Sequence, residues 1–220
     1  MSIRKYNVTL TGITPLLMHQ DNISFCERVK KWQKDPLNKQ LSVKGDDRSP
    51  AWTWIGYCYQ DRGSLYMPTA NIMSCLRDGG KKCPAAIGKG SMKAQTQAGI
   101  SVAGNGFKLL VNGGVIPTDG ITALENIEEF SVHEKVVADM GFELDVRRAV
   151  VGTAKHVRVR PIFHNWVCVG QLIVGDSTIT TEVLQTILNQ SGYYCGLGDW
   201  RPASPSPGSY GRFEAVVEEC

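Results

Sequence analysis

His156, Arg158 and Arg160 recur at every second position of a β-rich run over residues 153–162, with Val157 and Val159 between them. Side chains alternate between the two faces of a strand, so the three basic groups share one face and the valines the other. Arg147, Arg148 and Lys155 add to this cluster, the densest positive charge in the chain. Cations in a row repel unless solvated or matched to an anion, so the row reads either as a phosphate-binding face or as a plain solvated hairpin. Residues 192–213, GYYCGLGDWRPASPSPGSYGRF, are the second group of interest. Gly196, Gly198, Gly208 and Gly211 let the backbone reach positive φ and remove the Cβ that would hold another chain away. Pro202, Pro205 and Pro207 keep the stretch from becoming helix or central strand. Such a loop is expected to expose N–H groups, and Arg201 and Arg212 flank it, which suits an anionic backbone. An ordinary surface loop has the same composition. Trp200, Tyr210 and Trp54 are flat groups on which bases can stack. Lys30 and Lys31 are a second tier of cations.

Catalysis has fewer residues to draw on. His19 follows the first predicted strand and could act as a general base. Asp35 lies in the adjoining basic loop. The plainer readings are a partly buried surface histidine and a turn residue before Pro36. His164, two residues before Trp166, reads as structural. No Walker, Rossmann or zinc motif is present, and the GxG at Gly196 to Gly198 follows a helix, unlike a dinucleotide site. Seven cysteines, odd in number and without a CxxC pair, argue against a disulfide framework or a zinc site. Reduced thiols in a cytoplasm are the simplest account, with no metal or cofactor. Binding is therefore favoured over catalysis.

Composition bounds these readings. The chain has 220 residues, 42% hydrophobic and 20% charged, as in ordinary soluble globular proteins. Its apolar runs are too short for a membrane helix, and MSIRKYNVTL has no apolar signal core. A net charge of +3 says little, so a nucleic-acid reading rests on local clustering.

The elements that must position these groups follow from periodicity. Tyr6, Val8 and Leu10 alternate with Asn7, Thr9 and Thr11, a half-buried strand. Residues 24–34 have Phe25, Val29 and Trp32 at helical spacing, a short basic amphipathic helix. Trp52, Trp54, Tyr57 and Tyr59 predict a strand. Residues 65–82 predict a helix, with Pro68 at its start and Gly79-Gly80 at its end. Residues 84–106, with Lys89 and Lys93, lack a core pattern and read as a flexible or partner-ordered insertion. Residues 107–111 and 130–137 predict strands, and 145–151 with 153–162 predict a hairpin turning near Gly152. Residues 166–174 predict a central strand. Thr180 or Thr181 caps a helix striped by Val183, Leu184, Ile187 and Leu188 and ended by Gly192. A last strand follows at 213–217. Without insertions at about 20–64 and 83–145, the order is β-α-β-β-α-β. This predicts an α+β protein: one ferredoxin-like or RRM-like domain over 1–220, an antiparallel sheet covered by two helices.

Three segments resemble the RAMP superfamily of RRM-fold proteins found in CRISPR effector complexes. VTLTGITPLLM, Val8 to Met18, is similar to the first strand and its turn. LYMPTANIMSCLRD, Leu65 to Asp78, is similar to the family's helix start, with Pro68 and Arg77 at matching places. The third is the glycine-rich loop after the second helix. Among the superfamily, the small repeated backbone subunits and their phage or mobile-element relatives are the most similar. The resemblance implies an RRM-type sheet, a thumb-like hairpin and head-to-tail packing of copies along a single strand; residues 147–160 are the place for the thumb. Thr69-Ala70-Asn71 stands where the family often has Gly-Ser-Ser, and PASPSP lengthens the last loop. The implied partners are single-stranded RNA or DNA, copies of the protein itself and CRISPR-type subunits, with no membrane. Some relatives cut RNA with a histidine near the first strand or an aspartate after it. An endoribonuclease using His19 and a RAMP-subunit mimic that inhibits a CRISPR complex are the alternatives.

Overall fold

The computed structural model describes residues 3–85, 90–151 and 154–220; Lys89 and the predicted turn at Gly152 lie outside them. In chain order the elements are β1 (Arg4–Gly12), β2 (Leu16–Leu17), α1 (Ile23–Lys34), β3 (Gln60–Asp61), β4 (Ser64–Pro68), α2 (Thr69–Gly80), α3 (Lys93–Gly99) and β5 (Ile100–Val102). There follow β6 (Gly106–Val111), β7 (Gly114–Val115), α4 (Thr118–Thr122), α5 (Phe130–Asp139), β8 (Glu143–Val151), β9 (Ala154–Phe163), β10 (Trp166–Val174), α6 (Thr181–Gln190) and β11 (Phe213–Glu219). The result is an α+β protein with antiparallel ladders. It divides into two compact units: Met1–Leu17 with Ser64–Ile116 and His164–Cys220, and Met18–Gly63 with Pro117–Phe163.

The first unit is built on a sheet in the order β11-β1-β10-β6-β4. The alternation seen in the sequence sets its register: Leu10 lies opposite Cys168 on one side and Ala215 on the other. Tyr6, Val8 and Leu10 are buried, as are Phe107, Leu109, Trp166, Cys168 and Leu172. From the helices, Ile72, Cys75 and Leu76 of α2 and Leu184, Ile187 and Leu188 of α6 are buried. The Thr180 hydroxyl caps α6 by accepting from the Val183 N–H. Residues 84–106 contribute α3 and β5 to this unit, and β5 pairs with β10.

The second unit packs Trp52, Trp54, Phe142 and Phe163 into its core with Ile121, Leu124 and Val137. Phe142 lies 5.1 Å from Phe163 and 6.0 Å from Trp54, ring centre to ring centre. β8 and β9 form its antiparallel hairpin.

Five elements differ from the periodicity reading. The 84–106 segment, expected as a flexible or partner-ordered insertion, holds α3 and β5, with Met92, Thr96, Ile100 and Val102 buried. Residues 65–68 belong to a strand, because Leu65 and Met67 alternate inward and Pro68 holds the chain extended; the helix begins at Thr69. The predicted strand around Trp52 is a 3₁₀ turn, Ala51–Tyr57, in which every residue is buried. An element covered on all sides has no polar face to mark its period. The predicted strand at 130–137 is helix α5, where His133 and Val137, four apart, face inward. Past α6 the chain continues as a π-helical turn, Ser191–Cys195, and Gly196 at φ +70° ends it, rather than Gly192.

Candidate nucleic-acid interface

In the second unit, the hairpin register sets Arg147 opposite Arg158, Asp145 opposite Arg160 and Ala149 opposite His156. The basic row therefore shares its face with a carboxylate. Arg147 Nε donates to Asp145 Oδ1 at 2.6 Å, and Arg160 Nη2 lies 3.5 Å from Asp145 Oδ2. Asp145 and Arg160 are both nearly covered, with side chains 8% and 11% exposed. Arg158 is held from the other direction. The 45–47 segment runs beside β9, with Val157 N–H donating to the Gly45 carbonyl and Asp47 N–H to the Val157 carbonyl. This brings Asp47 beneath the row: Arg158 Nη1 donates to Asp47 Oδ1 at 3.2 Å and to the Tyr57 hydroxyl oxygen at 3.3 Å. Tyr57 donates to Asp47 Oδ2 at 2.9 Å, and the Val159 N–H to the same oxygen at 3.2 Å. Burial, then the Asp47 charge, push the Tyr57 hydroxyl well above its ordinary pKa, so it stays protonated and can donate. Burial works against the charge on Arg158, but Asp47 and Tyr57 outweigh it and hold its pKa above the ordinary value.

The opposite face of the hairpin is more open. Arg148 and Lys155 are exposed there, beside Val146 and Val150, which are 39% and 71% exposed. Helix α1 adds Lys30, Lys31 and Lys34, all exposed. It is capped by Asn22, whose side-chain oxygen accepts from the Phe25 N–H, and none of its residues is fully buried. Arg28 is not available in the same way. It pairs with Glu125, bonds Asn126 and lies 4.6 Å over the Trp52 ring.

The glycine-rich loop belongs to the first unit, and its N–H groups are largely used within it. Gly196 N–H donates to Ser191, Leu197 to Gly211, Asp199 to Leu17, Gly208 to Arg201 and Gly211 to Pro15, each at a backbone carbonyl. The glycines permit close approach of backbone. A Cβ on Gly211, at φ +70°, would meet the Leu197 carbonyl oxygen at 1.9 Å, and one on Gly198 would meet that of Leu17 at 2.2 Å. Trp200 and Tyr210 stack on one another, 5.8 Å between ring centres. Arg201 donates to the Gly198 carbonyl and Arg212 to that of Tyr193, over whose ring it lies at 5.0 Å. These contacts close the loop partly on itself and partly onto the Pro15 and Leu17 carbonyls.

The remaining sequence candidates have structural partners. His19 is half-buried with its ring 4.3 Å from that of Tyr57, and its carbonyl accepts from Tyr59. Asp35 accepts from the Leu37 N–H and caps a 3₁₀ turn, Pro36–Asn38. Trp54 is fully buried, so it has no face for a base. Its indole N–H donates to His133 Nδ1 at 3.0 Å, and His133 Nε2 lies 2.8 Å from the Ile127 carbonyl. His133 carries the proton on Nε2 and is neutral, since burial lowers its pKa. Neither Asp47 nor His133 stands out in the sequence. Asp47 lies in a polar stretch 111 positions from Arg158, and the spacing of four between His133 and Val137 is the only local signal of the pair. Among the described residues, no group of three or more His, Cys, Asp or Glu is placed to hold a metal ion, and no helix is long and apolar enough to cross a membrane.

Fold and site together define an α+β chain with antiparallel ladders and a basic β-hairpin. No family model and no curated protein matches it. Among solved structures, the chain is similar to one described as the crystal structure of Cmr6 from Pyrococcus furiosus, with a TM-score of 0.38 and 9% identity, over 98% of this chain and 100% of that one. So distant a likeness does not bear on function.

Proposed function

We propose that the protein binds single-stranded nucleic acid, RNA in preference to DNA, as a RAMP-type protein, CRISPR-effector-like or phage-encoded, whose copies assemble along the strand. The observation that carries this reading is the set of exposed cations in the second unit: Arg147, Arg148 and Lys155 on the hairpin, Lys30 and Lys31 on α1. Exposed guanidinium and ammonium groups gain most from a polyanion, because binding releases its condensed counterions. Arg160, nearly covered beside Asp145, supports the hairpin, and in this reading it shapes the surface more than it touches phosphate. The ferredoxin-like or RRM-like assignment is supported by the chain path β1-α2-β6-β10-α6-β11, whose strands lie in the order β11-β1-β10-β6. The segments resembling RAMP proteins are β1 with its turn, the start of α2 and the loop before β11.

Fluorescence anisotropy with end-labelled RNA and DNA, titrated over a range of salt, tests the proposal. Binding at low salt that weakens steeply with salt is expected, with RNA the tighter ligand. No binding to either strand at low salt would reject it. Elution volume in the presence of progressively longer strands reports whether copies add along the strand.

A further inference from the structure

A cleft of about 320 Å³ opens in the second unit, between α1, the 45–47 segment, the Ala51–Tyr57 turn and β9. Two of its lining rings are seated on glycine backbone. A Cβ on Gly56 would lie 2.3 Å from the Phe25 ring, and one on Gly45 would lie 2.7 Å from Nδ1 of His156. Each ring therefore rests where only glycine leaves room, and Val29 lines the space with them. The charged groups of the cleft are unequal. Asp46 is taken up by Arg48, which binds both of its carboxylate oxygens, and Asp47 by Tyr57, Val159 and Arg158. Lys30 is exposed and makes no ion pair among the described residues. Both hydrogen bonds of Arg158 leave from Nη1, so the rest of its fork can donate to a ligand.

A pocket with aromatic and aliphatic walls, the Lys30 ammonium outside any ion pair among the described residues and spare N–H donors on the paired Arg158 fits a planar ring carrying an anion. A bare phosphate would leave the rings without a role, and an uncharged ring would leave Lys30 and Arg158 without one. The volume lies at the lower end of that of small-molecule sites, about 300–1,000 Å³. We propose that this cleft takes one nucleotide, its base against Phe25 and His156 and its phosphate at Lys30 and Arg158. The inference rests on the single-strand reading above and deepens it: one nucleotide of a bound strand leaves the stack and is held here.

Cys26 supplies the test, since it lines the cleft and is exposed, while Cys220 is exposed on the first unit and serves as an internal control. Iodoacetamide alkylation of the two thiols is followed by peptide mass spectrometry with and without AMP or UMP. Adenosine and inorganic phosphate are run alongside. The nucleotides are expected to slow Cys26 alkylation severalfold and to leave Cys220 unchanged, with each fragment alone protecting less. Lys30→Glu, at an exposed position, should abolish the protection, and Phe25→Leu should weaken it. Unprotected Cys26 at millimolar nucleotide, or full protection in Lys30→Glu, would overturn the proposal. If strands bind while AMP and UMP leave Cys26 unprotected, the pocket falls and the single-strand reading stands. If nucleotides protect Cys26 while no strand binds, the pocket stands and that reading falls.

Discussion

Arg158 and Asp47 form an ion pair at 3.2 Å that joins β9 to the segment beside it. Asp47 is 111 positions away in the chain, so a residue that reads as a strand cation awaiting a phosphate is also a strut between distant parts of one unit. The carboxylate serves two further donors, the Tyr57 hydroxyl and the Val159 N–H.

Removing that carboxylate should be costly. Asp47→Ala strands a half-buried guanidinium, a buried hydroxyl and a backbone N–H, and a loss of about 3 kcal/mol is expected in urea unfolding. Asp46→Ala, at the neighbouring position, breaks a pair with the exposed Arg48 and should cost about 0.5 kcal/mol. Equal losses in the two variants would contradict the strut.

The two faces of the hairpin should separate in binding. Arg148→Gln with Lys155→Gln removes exposed cations and should leave stability within about 0.5 kcal/mol of the parent. The slope of its binding to a single strand against salt should flatten by about 0.7 for each phosphate it no longer neutralises. Arg160→Gln, at a site 9% exposed beside Asp145, should lower the unfolding midpoint instead. An unchanged salt slope in the double variant would remove the exposed face from the interface.

Stability should depend on pH through His133. Its folded pKa lies below the ordinary value of 6.5 because burial disfavours the imidazolium, and a proton on Nδ1 would displace the Trp54 N–H. The unfolded chain then takes up the proton first as pH falls. The contribution is therefore complete above about pH 6.5 and is lost below it, at no more than about 1.4 kcal/mol per pH unit. Urea midpoints from pH 7.5 to 5 should show this slope, and His133→Gln should lose it. The same slope in the variant would assign it elsewhere.

Two glycines at positive φ should respond differently. Gly63, at φ +78°, has nothing within 4 Å of an added Cβ, so Gly63→Ala carries backbone strain alone, about 1 kcal/mol. Gly211→Ala adds a collision with the Leu197 carbonyl and should cost clearly more, by thermal unfolding. Similar costs would mean that the loop is not closed as described.

Where local signals agree with the packing, the fold is legible in the residues. β1, α1, β6, β10 and α6 fall where alternation, helical spacing and the Thr180 cap put them. The signals mislead where burial is complete. The aromatic run at 52–59 alternates like a strand, yet Ala51–Tyr57 is a turn inside the core, and the segment at 130–137 reads as a strand although His133 and Val137 face inward from a helix. For the site, the sequence identifies the cationic strand and the glycines but not their partners. Asp47 and Asp145 neutralise part of the row, and carbonyls as far away as Pro15 and Leu17 take up the loop's N–H groups.

Residue types and their spacing determined which side chains share a face, which glycines the loop needs and where positive charge is concentrated, because these follow from short-range geometry of the chain. Tertiary structure alone decided which of those charges stay open to solvent. Pairing a cation requires a carboxylate within a few ångströms in space, and residues 111 apart reach that distance only once the chain has folded.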